Sequence, residues 1–181
     1  KSVRVFSNDE FGQYQLENEL QNYKNISFLL GDIRDENRVD YVVKDIDIIF
    51  HAAALKHVDR CEFNPNEAVS TNILGTKNLI SASQKADVKK VIFISTDKAV
   101  NPVNVMVASK LLAEKVISIE AFHKKSKTIF ASVRFGNVLN TRGSLIPYIE
   151  EQIKRGGPVT LTDKRMIRFF MTESSKYSTN F

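Results

Sequence analysis

The sequence predicts an α/β fold: a Rossmann-like, doubly wound parallel sheet with helices on both faces (three-layer αβα). Three observations lead to this prediction. Short β-branched runs alternate with longer segments of helical period, an alternation typical of βαβ units joined by right-handed crossovers. Most chemically capable side chains follow directly after strands, where open α/β sheets carry their sites. With 181 residues, 43% of them apolar, the chain can bury one substantial core.

Each strand is predicted from a short run of β-branched or aromatic residues, and each helix from a longer segment that suits helical spacing. The predicted strands are Val3–Phe6, Ile26–Leu30, Asp47–Ala52, Val91–Ser95, Thr128–Arg134 and Val159–Thr162. The predicted helices are Glu10–Tyr23, Glu36–Lys44, Asn66–Gln84, Val105–His123 and Leu145–Lys154.

The composition is that of an ordinary globular protein, with 26% charged residues. No apolar run approaches the roughly 20 residues that span a bilayer, so we expect no membrane segment in this chain. The single cysteine, Cys61, excludes an internal disulfide and suits a reducing compartment. We therefore expect a cytoplasmic protein.

The net charge of +5 raises the question of a nucleic-acid partner. The basic residues are scattered, however, and the longest clusters, Lys89-Lys90 and His123–Lys127, have no interleaved aromatic residues that could stack on bases. A solvated surface accounts for these charges better. We expect neither nucleic-acid binding nor a metal site.

The chemically richest segment is Val91–Lys110. Its strand ends in Thr96, Asp97 and Lys98, and the following helix carries Met106 and Lys110 four residues apart, on one face. A threonine, a carboxyl group and two amines can exchange protons, whereas a methionine cannot.

This segment, VIFISTDKAVNPVNVMVASK, resembles the active-site segment of extended short-chain dehydrogenase/reductases. More narrowly, it is similar to the CapD-like polysaccharide-biosynthesis group, which contains UDP-N-acetylglucosamine 4,6-dehydratases and UDP-sugar epimerases. Leu30–Ile33, His51–Val58 and Arg134–Leu139 also match that group. Most of the superfamily has tyrosine at the position of Met106, and a Met-x-x-x-Lys subtype exists within the group.

The resemblance implies a catalytic set made of Thr96, Asp97, Lys98, Met106 and Lys110. Because Met106 cannot take a proton, Thr96 would relay the proton of the sugar C4 hydroxyl, assisted by Lys110 or by water. Asp97 would protonate the departing C6 hydroxyl, and Lys98 would act at C5. The alternative for the last two is a surface ion pair in a loop.

The resemblance also implies an NAD(P) site, with residues 1–142 as the nucleotide-binding domain. Its predicted cofactor contacts are Asp9, Asp32, Ile33, Ala52, Ala53, Ala54 and Lys110. Asn8 replaces an arginine that can pair with the 2′-phosphate of NADP, which favours NAD over NADP. Asp9 could equally belong to a helix N-cap cluster, and Asp32 could belong to a turn.

Residues 143–181 are predicted to begin a smaller lobe that binds the substrate, UDP-N-acetylglucosamine or a related UDP-sugar. The resemblance implies substrate contacts by Lys56, Asn137, Arg142 and Arg168. Arg168, beside two phenylalanines, could instead belong to core packing. The family also implies a homo-oligomer formed through the helices Asn66–Gln84 and Val105–His123.

No G-x-G-x-x-G turn is found in the sequence, and the resemblance starts after the family's first strand and phosphate loop. We therefore expect little activity from these 181 residues alone. Three functions stay open: an NAD(P)-dependent UDP-N-acetylhexosamine 4,6-dehydratase, a UDP-sugar 4-epimerase, and a non-catalytic nucleotide-sugar-binding protein.

Overall fold

The computed structural model describes residues 1–122, 126–139, 145–161 and 163–172. The chain divides into two compact units, Lys1–Val133 and Arg134–Phe181. The domain boundary predicted after residue 142 falls outside the described residues and stays a prediction. Within the described ranges, no helix combines the length and apolar character needed to cross a bilayer.

The first unit alternates strands and helices along most of its length. The strands of the described residues are β1 Val3–Ser7, β2 Ile26–Leu30, β3 Ile48–His51, β4 Lys90–Thr96, β5 Ile129–Phe135, β6 Asn137–Val138 and β7 Phe170–Met171. The α-helices are α1 Glu10–Glu19, α2 Glu36–Val42, α3 Val58–Phe63, α4 Pro65–Ala68, α5 Gly75–Lys85, α6 Val105–Phe122 and α7 Leu145–Lys154. A π-helical segment, Val69–Leu74, joins α4 to α5, and a 3₁₀ turn, Asp97–Val100, follows β4.

The strands form parallel pairs, as the predicted fold class requires. β1 pairs with β2 in parallel, with Val3 opposite Ile26, and a second sheet has the order β3-β4-β5, with Ile48 of β3 opposite Lys90 of parallel β4. Parallel strands that alternate with helices along the chain are those of a Rossmann-like α/β fold. The predicted fold class is confirmed.

The hydrophobic core of the first unit lies between its sheets and the helices α2, α5 and α6. Helix α2 packs against α5, α5 against α6, and α6 against β4. The fully or almost fully buried side chains include Val39, Leu79, Val88, Val91, Phe93, Ala113 and Ile117. Because α6 packs on β4, the predicted catalytic positions of both elements belong to one rigid part of the molecule.

The N-terminus of α6 is held by two side-chain caps. Glu62 Oε1 accepts a hydrogen bond from the Val105 amide at 2.7 Å, and Asn104 Oδ1 accepts one from the Val107 amide at 2.9 Å. Caps of this kind satisfy amides that have no partner within the helix, and they contribute about 1 kcal/mol each. They fix the turn that carries Met106.

The predicted helix Asn66–Gln84 is interrupted. The wider π-helical turn Val69–Leu74 separates α4 from α5, and Asn72 of that turn is buried and bonded to other elements. Apolar spacing alone did not indicate this widening. Helix α3 was not predicted either, since its six residues are too few to show a helical period.

The predicted strand Val159–Thr162 is wrong for its described residues, 159–161, which form no strand. The Thr160 amide donates to Gln152 Oε1 at 3.0 Å, and Gln152 Nε2 donates to the Thr160 hydroxyl at 3.1 Å. The backbone amide of Thr160 is therefore bonded to the Gln152 side chain of α7, whereas in a strand it could bond to a neighbouring strand.

Candidate functional site

Three predicted catalytic residues meet at the C-terminal end of β4. The strand includes Thr96, and the 3₁₀ turn begins at Asp97. The Thr96 hydroxyl donates to Asp97 Oδ1 at 3.1 Å, and Lys98 Nζ donates to the same oxygen at 2.9 Å. The Asp97 and Lys98 side chains are 25% and 39% exposed. The cluster is thus internally bonded yet still open to a ligand.

The Asp97 carboxyl group is ionised at neutral pH. Its partial burial acts to raise its pKa, but the hydrogen bond and positive charge of Lys98, together with the bond from Thr96, outweigh burial and lower the pKa. The side chains therefore rest as a carboxylate and an ammonium.

Lys110 lies on α6 beside the same strand and is 9% exposed. Its Nζ donates to the Ile94 carbonyl at 2.7 Å and lies 4.6 Å from the centroid of the Phe93 ring. Burial lowers the pKa of Lys110 to about 8, because removal from water disfavours the ammonium form. A neutral fraction able to accept a proton is thus present near neutral pH.

His51, the last residue of β3, is buried and has a structural role. The Thr76 hydroxyl donates to the Asn72 carbonyl at 2.6 Å, so His51 Nε2 must donate to the Thr76 oxygen, 2.8 Å away. Burial, with a smaller contribution from the charge of Lys110, lowers the pKa of His51 to about 3. The imidazole is therefore neutral, and its proton is fixed on Nε2.

Asn72 ties the loop after β3 to α6. Its Oδ1 accepts from the Leu55 amide at 2.7 Å, and its Nδ2 donates to the Leu55 carbonyl at 3.2 Å and to Ser109 Oγ at 2.8 Å. The Ser109 hydroxyl in turn donates to the Met106 carbonyl at 2.8 Å. Asn72 therefore braces the N-terminal part of α6, and Met106 takes part through its backbone.

Sequence reasoning missed a second anchor between β4 and α6. The buried Ser95 hydroxyl donates to Glu114 Oε2 at 2.6 Å, and Glu114 is itself 9% exposed. Glu114 lies four residues after Lys110, and this spacing on one helix face was the signal that could have revealed it. The bond holds the strand end immediately before Thr96.

At the end of β1, Asp9 is the N-cap of α1. Its Oδ1 accepts a hydrogen bond from the Gly12 amide at 2.9 Å. Asn8 instead contacts the segment after β2, where its Nδ2 donates to Asp32 Oδ2 at 3.1 Å. The capping interpretation of Asp9 is therefore confirmed, and its contact with ribose stays a prediction.

The Asp32 carboxylate accepts four hydrogen bonds. The amide and Nε of Arg34 both donate to Oδ1 at 2.9 Å, and Arg34 Nη2 donates to Oδ2 at 2.7 Å, beside the bond from Asn8. The hydrogen bonds from Arg34 lower the pKa of Asp32 to about 2. Because a carboxylate has about four acceptor positions, contact with adenine would require one of these donors to move.

The segment after β3 has the small residues that a dinucleotide needs for close approach. Ala52 and Ala53 are exposed and Ala54 is half-buried, so their methyl groups leave room at the strand end. Ile33 is buried against Gly75, where an added Cβ would lie 2.6 Å from Ile33 Cγ2. The residues present fit a bound dinucleotide here.

The remaining predicted substrate contacts stay predictions. Lys56 is exposed on the loop after β3. In the second unit, the Asn137 amide donates to the Phe169 carbonyl at 2.8 Å, and exposed Arg168 donates to the Ile167 carbonyl at 3.0 Å. Phe169 is 76% exposed, so core packing beside Arg168 is wrong. Arg142 lies outside the described residues.

The family described as "Polysaccharide biosynthesis protein" matches residues 1–177. An uncharacterized membrane protein of Methanocaldococcus jannaschii is 54% identical over 173 residues, which are 95% of this chain and 52% of that protein. A UDP-glucose 4-epimerase of Rickettsia bellii is 47% identical over 173 residues, 95% of this chain and 50% of the relative. The chain thus spans about half the length of these curated relatives.

Among solved structures, Pen from Bacillus thuringiensis is 48% identical, with a TM-score of 0.93 over 97% of this chain and 55% of that one. The dTDP-glucose 4,6-dehydratase DesIV of Streptomyces venezuelae, a double mutant with NAD and DAU bound, has a TM-score of 0.87 at 22% identity. That match covers 97% of this chain and 60% of DesIV, and at such identity it shows the fold alone.

Proposed function

Because this chain belongs to the polysaccharide biosynthesis protein family, we propose that it forms part of an NAD-dependent 4,6-dehydratase acting on UDP-N-acetylhexosamines. The observation that carries this proposal is the bonded cluster of Thr96, Asp97 and Lys98 at the end of β4. The buried amine of Lys110 lies on the adjoining helix.

The first step is oxidation at C4 of the sugar, and it requires removal of the C4 hydroxyl proton. Thr96 receives this proton and relays it, but its own hydroxyl is too weak a base to keep it. Lys110 is the onward acceptor, since burial keeps part of its population neutral near pH 7. Bound NAD would supply the hydride acceptor for the oxidation at C4 and the hydride donor for the reduction at C6.

The second step distinguishes a dehydratase from a simple epimerase. A ketone at C4 makes the C5 hydrogen acidic, and loss of the C6 hydroxyl as water then needs one base and one acid. Asp97 and Lys98 supply a carboxylate and an ammonium 2.9 Å apart, which suits two neighbouring carbon atoms. Interconversion at C4 alone needs neither group.

NAD rather than NADP is supported by the charges at the ends of β1 and β2. Arg34 is engaged by both Asp32 and Glu67, at 2.7 Å in each case. Asn8, which stands where an arginine would pair with a 2′-phosphate, is bonded to Asp32. The carboxylate of Asp9 suits ribose hydroxyls better than a phosphate dianion.

The chain is proposed to act within a longer polypeptide. Among the described strands, β1 and β3 each have one paired neighbour, and the family's first strand and phosphate loop would fit between them. The predicted substrate contacts of Lys56, Asn137, Arg142 and Arg168 stay proposals. Self-association through α6 is supported by Leu112, Ile119 and Phe122, which are 50%, 51% and 78% exposed.

The test is to incubate the full-length polypeptide with NAD and UDP-N-acetylglucosamine and to measure the mass of the nucleotide sugar. The expected product has lost one water and carries a 4-keto group. The matched control is Asp47→Asn, because Asp47 also forms an ion pair with a lysine, Lys89, but lies on the exposed surface away from the β4 end. This variant should turn over like the parent.

A second candidate is a UDP-sugar 4-epimerase, favoured by the 47% identity to the UDP-glucose 4-epimerase of Rickettsia bellii. It predicts a sugar isomer of unchanged mass, and it predicts that Lys98→Gln keeps its activity. Binding of UDP-N-acetylglucosamine without either product would instead indicate the non-catalytic alternative.

A further inference from the structure

We propose that Asn78, on helix α5, is a positioning residue for the adenosine half of the dinucleotide. It holds the turn that follows β2, and through that turn it sets the direction of the Asp32 carboxylate. The inference rests on the proposed NAD-dependent function. It adds a residue from a helix that supplies none of the predicted cofactor contacts.

The Asn78 side chain bonds to the backbone of the turn. Its Nδ2 donates to the Ile33 carbonyl at 3.2 Å and to the Arg34 carbonyl at 3.1 Å. A side-chain amide nitrogen carries two N–H groups, so each carbonyl can receive a donor of its own. One side chain thereby holds two consecutive peptide units and restricts the rotation of both.

These bonds act on Asp32 through the peptide that joins Ile33 to Arg34. The carbonyl and the amide of a trans peptide lie in one plane and point in opposite directions. Asn78 holds the Ile33 carbonyl, so the direction of the Arg34 amide in the same unit is fixed. That amide donates to Asp32 Oδ1 at 2.9 Å. Asn78 therefore helps to orient the carboxylate by way of the backbone.

Helix α5 is a rigid support for this contact. Gly75 and Asn78 are three residues apart on one helix face, and Gly75 packs closely against Ile33, since an added Cβ would lie 2.6 Å from Ile33 Cγ2. Leu79 and Ile80 are 5% and 4% exposed and anchor the helix in the core. The turn thus rests on a part of the molecule that close packing holds in place.

A second side chain that supports this turn, Glu67 of α4, should contribute less. It pairs with the Arg34 guanidinium at 2.7 Å, but the Arg34 and Glu67 side chains are 44% and 56% exposed, and exposed ion pairs contribute little. Asn78 is half-buried, and its donors act on backbone carbonyls rather than on a long side chain. Loss of the Asn78 amide should therefore loosen the turn more than loss of the Glu67 carboxylate.

The test measures nucleotide affinity in the full-length protein after bound nucleotide has been removed. Binding of NADH is titrated by its fluorescence, and AMP, which carries the adenosine half with one phosphate, is the competitor. Asn78→Leu keeps the approximate shape of the side chain and removes both donors, and Asn78→Ala is a second variant. Leucine and alanine both favour a helix more than asparagine does, and thermal unfolding checks that each variant is folded.

Both variants should raise the Kd of NADH and the Kd of AMP by about tenfold, the order expected for the loss of one or two hydrogen bonds. The KM for NAD should rise in parallel. The kcat at saturating NAD should stay within about twofold of the parent, because the variants weaken the binding of NAD and do not change the groups at the end of β4.

The matched control is Gln84→Leu. Gln84 lies on the same helix, is also half-buried and also donates from a side-chain amide, but it donates to Glu120 of α6, at 2.9 Å. This variant should leave the Kd of both nucleotides unchanged. A rise equal to that of the Asn78 variants would count against a specific effect on the turn.

An unchanged Kd for NADH in the Asn78 variants would overturn the inference, whatever their melting temperature, since Asn78 would then be only structural. A raised Kd for NADH with an unchanged Kd for AMP would also overturn it, because the loss would lie outside the adenosine half. A parent protein that binds NADH but forms no 4-keto product would contradict the proposed reaction alone, and a parent that binds no NADH would contradict both.

Discussion

Two aspartates that look alike in the sequence have different surroundings in the structure. Asp32 follows β2 and Asp97 follows β4, so both lie at the carboxyl end of a parallel strand. The oxygens of Asp32 accept four hydrogen bonds, three of them from Arg34. The two side-chain donors to Asp97, by contrast, act on a single oxygen.

The comparison shows that position at a strand end does not by itself make a carboxylate reactive. Both oxygens of Asp32 accept hydrogen bonds that hold the turn leading to α2, so its main contribution is structural. Asp97 has an anchored oxygen and a second oxygen outside those bonds. The difference is set by one arginine two residues downstream of Asp32 and one lysine directly after Asp97.

The largest expected effect comes from exchanging the two aspartates for asparagine in the full-length protein. Asp97→Asn should reduce turnover of UDP-N-acetylglucosamine by about 10²- to 10⁴-fold, since it removes a proton-transfer group. Asp32→Asn should change turnover at saturating NAD by less than tenfold, and should lower the melting temperature instead. Steady-state kinetics and thermal unfolding measure both. An equal loss of turnover in the two variants would remove the contrast.

Lys110 provides the next test, because it separates the proton relay at C4 from the chemistry of Asp97. Its pKa is lowered to about 8 by burial, and only the neutral amine can accept a proton. The rate of C4 oxidation should therefore rise as pH increases through about 8. Lys110→Met should abolish this rise and reduce the rate by about 100-fold. A pH-independent rate in the parent would argue against Lys110 as the acceptor.

Acid unfolding should reveal two structural groups with different pH ranges. The pKa of His51 is lowered from 6.5 to about 3, so its neutral form stabilises the fold above pH 6.5, and this contribution is lost as pH falls toward 3. Asp32, lowered from 3.8 to about 2, loses its contribution between those values. Urea unfolding measures the free energy of unfolding as a function of pH. His51→Gln should reduce its pH dependence only between about pH 6.5 and 3, and Asp32→Asn only between about pH 3.8 and 2.

The smallest expected effect concerns the packing beside Asp32. Gly75→Ala would place a Cβ 2.6 Å from Ile33 Cγ2, and such overpacking costs about 1–3 kcal/mol of unfolding free energy. Lys77→Ala, at an exposed position of the same helix, is the control and should be close to neutral. If Gly75→Ala were as stable as this control, Ile33 would have room to move, and its fixed position next to Asp32 would be in doubt.

Strands were the most predictable part of the fold, since runs such as Ile26–Leu30 are apolar and bounded by turn residues. The interruption at Val69–Leu74 could not be predicted, because Asn72 is turned inward by partners on two other elements, Leu55 and Ser109. Propensity describes only local preferences and cannot show such tertiary hydrogen bonds.

The candidate site, like the fold, was predictable only in part. Thr96, Asp97 and Lys98 are adjacent in sequence, so their meeting in space followed directly. The four hydrogen bonds to Asp32 could not be predicted in this way, because one of the donors, Asn8, follows the end of a different strand. Glu114 was missed because its partner, Ser95, lies nineteen residues earlier, on β4.

The central claim, that the end of β4 carries out a dehydration, is tested most directly by one reaction in deuterated water. The full-length protein is incubated with NAD and UDP-N-acetylglucosamine, and the product is analysed by mass spectrometry and NMR. The account predicts a 4-keto product that has lost one water and carries deuterium at C5. A C4 isomer of unchanged formula, with hydrogen retained at C5, would contradict it.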